Sequence, residues 1–231
     1  MNIGVLIPAY NAGKTLANVI QRIPKRVSTI IVVDDGSSDN TYEVAKSFKK
    51  VITVRHEKNG GYGAAQKTLF REALKRKVDV MVVLVSDKQS YPEEMVRLIT
   101  PIEERKAEVV LGSRVLGNMK RGKMPLYKRV GNKLLTRIEN MGFSTNISSF
   151  HDAYKAVTRE ALQRIDFESF TDGYLFDTYF LVSVARKKMR FAEVPVTTYY
   201  EKGVKSGVNS LKYGLDIIWL IILYRLGYKN F

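Results

Sequence analysis

The run Val80 to Val85, VMVVLV, constrains this chain more than any other stretch. It is apolar, rich in β-branched residues and free of polar alternation, the pattern of a strand buried on both faces in the middle of a mostly parallel sheet. It stops abruptly at Ser86, Asp87, Lys88 and Gln89. Ligands of open α/β sheets collect outside the carboxyl ends of the strands, so a carboxylate in that position is aimed at a crevice. The competing reading is structural: Ser86 and Asp87 begin a turn and cap a helix opening around Pro92, Glu93 and Glu94.

Three earlier runs repeat the theme. Ile3 to Ile7 ends at Pro8 and an Ala-Tyr-Asn turn, and Leu16, Val19, Ile20 and Ile23 then follow at helical spacing. Thr29 to Val33 ends at Asp34-Asp35-Gly36-Ser37-Ser38-Asp39-Asn40-Thr41, before a helix carrying Tyr42, Val44, Ala45 and Phe48. Val51 to Arg55 leads into Lys58-Asn59-Gly60-Gly61-Tyr62-Gly63 and the helix-forming segment Ala64 to Lys75. Four strand-loop-helix units in about ninety residues predict right-handed crossovers and a parallel core whose loops open on one edge. The glycine-rich loop, placed before a helix, can offer backbone N–H groups to phosphate, although it matches neither the P-loop nor the dinucleotide fingerprint.

Beyond these units, Glu108 to Leu111 reads as a fifth strand leading into Gly112-Ser113-Arg114, and Phe191 to Val196 as a late one. Phe176 to Arg186 has the pattern of a helix, and Ser148 to Lys155 is a polar patch. A length of 231 residues fits one large α/β domain. With 38 bases against 23 acids the net charge is +15, which calls for an anionic partner: nucleotide phosphates, a phospholipid surface or nucleic acid. The absence of cysteine excludes disulfides and thiolate metal sites and leaves only His56 and His151 as imidazole ligands. The N-terminus lacks a basic segment and meets a proline too early for a signal peptide, which predicts a cytoplasmic protein.

Two stretches have lipid-facing character. Lys120, Arg121, Lys123, Lys128, Arg129 and Lys133 interleave with Met119, Met124, Leu126, Tyr127, Leu134 and Leu135, either a solvated helix face or a basic amphipathic segment on an anionic membrane. The tail holds the apolar run Ile217 to Tyr224, far short of the roughly 20 residues of a bilayer span. Leu211, Leu215, Ile218 and Ile222 form one apolar stripe there, and further apolar residues wrap past it. That is more than one core contact requires, so an interfacial helix or a subunit contact is preferred over a helix that only closes the core.

Six blocks in order, IPAYN, VVDDGSSDNT, KNGGYGAA, SDKQSYPEE, GSRVLG and MPLYKRVGNKLLTRIEN, together resemble the inverting glycosyltransferases of family 2 with the GT-A fold. Within that family the likeness is to dolichol-phosphate mannose synthase and related polyprenyl-phosphate sugar transferases, over nearly the whole chain. The resemblance implies a Rossmann-like α/β fold with a mixed, mostly parallel sheet flanked by helices, plus interfacial amphipathic helices. It implies one domain over residues 1–231: a nucleotide half (1–115), an acceptor half (116–207) and a membrane-interfacial or subunit-contact tail (208–231). Such enzymes pass a sugar from a nucleotide-sugar, of the GDP-mannose or UDP-glucose type, to a polyprenyl phosphate on the cytoplasmic face of a membrane. By position, Pro8, Tyr10 and Asn11 would line the nucleotide, Asp34 or Asp35 would accept from base or ribose, and Lys58, Gly61 and Ser86 would complete that set. Asp87 and Gln89 would hold a divalent metal, magnesium or manganese, and Arg114 and Arg129 would bind phosphate.

The chain departs from the family pattern mainly in the metal and acceptor half. Val85 stands where the first metal-motif Asp is expected, and Lys88 where a glycine usually follows the second. Ser148-Ser149 replaces Ser-Asp, Ala153-Tyr154-Lys155 replaces Gly-Tyr-Arg, Leu175 and Tyr179 replace acids, and Lys202 and Ser206-Gly207 replace Arg and Ser-Lys. Two expectations follow. In one, an active transferase uses Lys88, Lys155 and Lys202 to neutralise phosphate, with Asp87 and Asp152 as its catalytic acids. In the other, a weak or inactive relative serves as a nucleotide-binding or membrane-associated partner subunit, in a homo- or hetero-oligomer. Nucleic-acid binding ranks below both, because the basic residues interleave with aliphatic side chains and no reading motif is present.

Overall fold

The computed structural model describes residues 1–87, 89–117, 126–198 and 210–228. Seven strands, β1 (Ile3–Ala9), β2 (Thr29–Asp34), β3 (Val51–Arg55), β4 (Val80–Val83), β5 (Val109–Ser113), β6 (Lys155–Thr158) and β7 (Phe191–Pro195), form one sheet in the order β3-β2-β1-β4-β6-β5-β7. Only β6 runs antiparallel to its neighbours β4 and β5, so the sheet is mixed and mostly parallel, as expected. The helices are α1 (Leu16–Gln21), α2 (Thr41–Ser47), α3 (Tyr62–Lys75), α4 (Met95–Glu103), α5 (Leu126–Phe143), α6 (Arg159–Gln163), α7 (Phe176–Arg186) and α8 (Ser210–Arg225).

Side-chain alternation divides the interior into two cores. Val80, Val82 and Leu84 join Val5, Ile7, Leu16, Val19, Leu98 and Ile99 on the α1 and α4 face. Met81 and Val83 join Leu6, Leu69, Phe70, Phe176 and Phe180 on the α3 and α7 face. The unbroken apolar run at β4 is thus explained: each face of the strand meets its own core, so no position is left for a polar residue.

β6 is the element that sequence patterning missed. Its four residues, KAVT, open on Lys155, and the segment reads as polar when taken alone. Lys155 is nevertheless 1% exposed, because its ammonium pairs with Asp177 of α7 at 2.5 Å and lies over the Phe180 ring. The expectation that Lys155 neutralises a substrate phosphate is therefore corrected: its charge is consumed inside the fold.

α8 is two-sided. Ile217 and Leu220 are buried, and Gly142 of α5 packs so closely on Ile221 that an added Cβ would lie 2.6 Å from it. Leu211, Leu215, Trp219 and Leu226 are each at least 59% exposed, and Ile218 and Ile222 are also open. The tail therefore closes part of the core with one stripe and leaves the sequence-predicted stripe uncovered.

Candidate active site

All the parallel strands deliver their carboxyl ends to one edge, and β6, running the other way, brings its entry loop there too. Pro8 shows how that edge opens. The parity that sends the Leu6 carbonyl to Leu84 N turns Pro8 towards β4 as well, but pairing with β4 ends at Leu6, so the missing N–H costs no ladder bond.

The loops after β1 and β2 are sewn together. Asn11, at φ 50°, donates its N–H to Ser37 Oγ (2.9 Å) and accepts from Ser38 N (3.0 Å). Ala12 N bonds Thr41 Oγ1 (2.7 Å), and Gly13 N bonds Asp39 (3.0 Å). Desolvation raises the Asp39 pKa, but the Thr41 hydroxyl and the Gly13 and Thr41 N–H groups outweigh it and hold the carboxyl below its ordinary value. Tyr10, 50% exposed, stands at the crevice rim.

Asp34 is fully buried: one oxygen accepts from Ser37 N, and the other lies 3.2 Å from Arg55 Nε without hydrogen-bond alignment. Asp35 accepts from Gly60 N and Gly61 N (2.9 Å each) and meets His56 Nδ1 at 2.7 Å, while His56 Nε2 meets the Thr68 hydroxyl. Past Tyr62, the N–H groups of Gly63 and Ala64 at the start of α3 donate to the Asp172 carbonyl. The glycine-rich loop is thus corrected as a phosphate cradle: its amides at Gly60, Gly61, Gly63 and Ala64 are already engaged by the protein. Lys58 is exposed beside it.

After β4, Ser86 is buried and Asp87 is exposed. Asp87 Oδ1 accepts from Gln89 N at 2.9 Å, so the residue makes a local turn, and it caps no helix. The protein mass around this crevice desolvates the carboxyl and raises its pKa, against the Gln89 N–H and the charge of Arg114. The chain beyond is anchored by Glu94, which accepts from Thr197 N and Oγ1, and by Tyr154, whose hydroxyl donates to the Tyr91 carbonyl. Lys88 and Lys202 lie outside the described residues.

Arg114 and Asp152 are brought together. The Arg114 N–H and Nε both donate to the Asp152 carboxylate, and one terminal nitrogen donates to the His151 carbonyl at 2.5 Å. Asp152 is 3% exposed. Arg129, by contrast, is exposed on α5. The same helix borders a groove of about 660 Å³ lined by Val130, Lys133, Leu134, Arg137 and Met141, whose other wall ends at Ser148. Ser148 Oγ lies 2.5 Å from Ser113 Oγ at the end of β5, so the groove leads towards the sheet edge.

Sequence reasoning missed two polar residues behind this edge. Asp177 collects Lys155 and the Tyr62 hydroxyl, and Glu139 of α5 is fully buried 3.3 Å from His151. Asp177 lies in GYLFDTYF between Leu175 and Tyr179, the two positions where the family resemblance expects acids. Glu139 falls at a core position of an otherwise basic helix, and that is the signal that marks it.

The family model described as glycosyl transferase family 2 matches residues 4–166. The UDP-N-acetylglucosamine–dolichyl-phosphate N-acetylglucosaminyltransferase of Methanococcus voltae is 28% identical, with 96% of each chain covered. The undecaprenyl-phosphate mannosyltransferase of Micrococcus luteus is also 28% identical, over 98% of this chain and 100% of its own. Among solved structures, glucosyl-3-phosphoglycerate synthase of Mycobacterium tuberculosis, in complex with Mn2+, UDP and phosphoglyceric acid, superposes with a TM-score of 0.73 at 20% identity, over 99% of this chain and 80% of that one. This last likeness shows the GT-A fold.

Proposed function

This chain belongs to glycosyl transferase family 2, and from that premise we propose that it transfers a sugar from a nucleoside-diphosphate sugar to a polyprenyl phosphate, with inversion. The observation that carries the reading is the end-to-end similarity to two enzymes named for polyprenyl-phosphate acceptors, combined with a groove of mixed basic and apolar walls leading to the sheet edge.

In this reading the chain is one domain. The β1 and β2 loops with Tyr10 and Asn11 receive the nucleotide, with the buried Asp34 bracing the β2 loop through Ser37 N, and Ser86 and Asp87 face its diphosphate. Asp87 and Gln89 offer one carboxylate and one amide oxygen. Among the described residues no three His, Cys, Asp or Glu gather; oxygen donors of this kind suit magnesium, which takes most of its ligands from phosphates and water. Bound there, the ion would neutralise the charge that grows on the leaving diphosphate. Arg114, held by Asp152, directs its charge to the acceptor phosphate. That phosphate is already ionised and attacks without a general base, so Asp152 serves as the anchor of Arg114 and not as a proton acceptor.

α5 and α8 face the lipid in this scheme. No helix among the described residues is long and apolar enough to cross a membrane. The exposed apolar side chains of α8 and the Arg129, Lys133 and Arg137 charges of α5 suit a peripheral seat on an anionic cytoplasmic leaflet.

Calorimetric titration of UDP-N-acetylglucosamine and GDP-mannose, with magnesium or manganese and again in chelator, selects the donor. Transfer from that donor to polyprenyl phosphate then tests the reaction. Asp87→Asn should lower transfer on the order of 100-fold. Wild-type protein that binds neither donor would overturn the proposal.

A further inference from the structure

Glu139 of α5, His151 of the loop entering β6, Thr178 of α7 and Tyr213 of α8 meet at one buried point. Glu139 is fully buried, and its Oε2 faces His151 Nε2 at 3.3 Å without hydrogen-bond alignment, so that both atoms are buried with no hydrogen-bond partner among the described residues. On the other side of the ring, His151 Nδ1 lies 3.4 Å from the Tyr213 hydroxyl, and the two rings meet edge to face at 5.7 Å. Tyr213 also bonds Thr178, whose hydroxyl lies 3.5 Å from Glu139 Oε1. Both nitrogens of one imidazole are thus addressed by side chains from two different helices.

The backbone of the same histidine is part of the active-site edge. His151 gives its carbonyl to Arg114, and the adjacent Asp152 takes the Arg114 N–H and Nε. A ring bonded to Tyr213 on one side and confined by Glu139 on the other orients the His151–Asp152 dipeptide, and the dipeptide fixes the guanidinium. A buried carboxyl and imidazole that face each other without a hydrogen bond are costly, and that cost calls for a role beyond packing.

We propose that Glu139 and Tyr213 are positioning residues for Arg114: they clamp His151 from α5 and α8, so that the seating of these two helices sets the affinity of the site for the acceptor phosphate. The proposal rests on the polyprenyl-phosphate reading. It makes the outer helices part of acceptor recognition as well as lipid attachment.

The test compares Glu139→Ala, Glu139→Gln and Tyr213→Phe in the full chain. Glu139→Ala and Tyr213→Phe should each raise KM for polyprenyl phosphate about tenfold while the donor Kd stays unchanged, and Glu139→Gln, which keeps a polar side chain of the same shape against the ring, should stay near wild type. An unchanged KM in Tyr213→Phe and Glu139→Ala, even with lowered melting temperature, would reduce the cluster to a structural role. If Glu139→Ala does not fold, Tyr213→Phe alone decides. A second readout needs no substrate: the Nε–H resonance of Arg114, assigned by its loss in Arg114→Lys, should exchange faster with water in both variants. Equal exchange overturns the positioning role. Wild-type protein that never transfers to polyprenyl phosphate overturns the proposed reaction instead and leaves this measurement standing.

Discussion

Asp35 illustrates how a residue that looks like a ligand group can be spent on the scaffold. Its two oxygens hold the Gly60 and Gly61 amides and the His56 ring, so Asp35→Ala should cost about 2 to 4 kcal/mol, read as a lower urea midpoint. A loss of nucleotide affinity with an unchanged midpoint would instead assign the carboxylate to substrate. Lys155 is the inverse case, a cation expected at the phosphate and found inside. Lys155→Met should destabilise by about 3 to 5 kcal/mol, and adding Asp177→Leu should recover much of that loss. Glu139 and His151 respond to pH with opposite signs, with Arg114, Tyr213, Thr178 and Asp177 as the groups around them. Burial raises Glu139 well above 4.5, so its contribution is full below that value and is lost as pH rises towards the folded pKa. Burial first, and Arg114 second, lower His151 from 6.5 to about 4, so its contribution is full above 6.5 and is lost as pH falls. The two slopes oppose above pH 4.5: rising pH removes the Glu139 contribution and restores that of His151. The stability of Glu139→Gln relative to wild type should therefore climb as pH rises above 4.5 in denaturant titrations. A flat difference would mean that the folded carboxyl is already ionised there.

Elements were legible where one physical rule governed them. The β1, β2 and β4 runs and the helices after them follow from apolar patterning, because each meets two cores or one. β6 was not legible: a strand that begins with a buried lysine depends on an aspartate 22 residues away, which no local pattern reports. The glycine-rich loop was found, and the structure shows its Gly60 and Gly61 amides engaged by Asp35. Gly61, at φ 99° and ψ 161°, occupies backbone space open essentially to glycine alone, and a Cβ there would sit 2.5 Å from the Asp172 carbonyl. Gly61→Ala should therefore cost about 1 to 3 kcal/mol, visible as a lower melting temperature whether or not nucleotide is present. If the loss appeared only in nucleotide affinity, the loop would be a ligand cradle after all.

At the scale of the molecule, charge and exposed apolar surface act together. A net charge of +15 and the open faces of α5 and α8 predict binding to phosphatidylglycerol vesicles and little to phosphatidylcholine. The electrostatic part should fade as salt shortens the Debye length from about 10 Å at 0.1 M to about 3 Å at 1 M. Trp219, 60% exposed, supplies the signal: its fluorescence should shift to the blue on anionic vesicles. Equal shifts on neutral vesicles would assign the seat to apolar contact alone, and no shift on either would turn the α8 face towards a protein partner.

The sequence by itself determined the parallel core, the edge at which the loops gather and the family, because unbroken apolar runs and ordered motifs are local properties that survive without coordinates. Only the tertiary structure decided which charges are free to meet a substrate. Asp35, Lys155 and Asp152 each look available along the chain, yet each is paired with a group 22 to 38 residues distant. Burial makes those pairings obligatory, since a charge removed from water must find its partner within the fold.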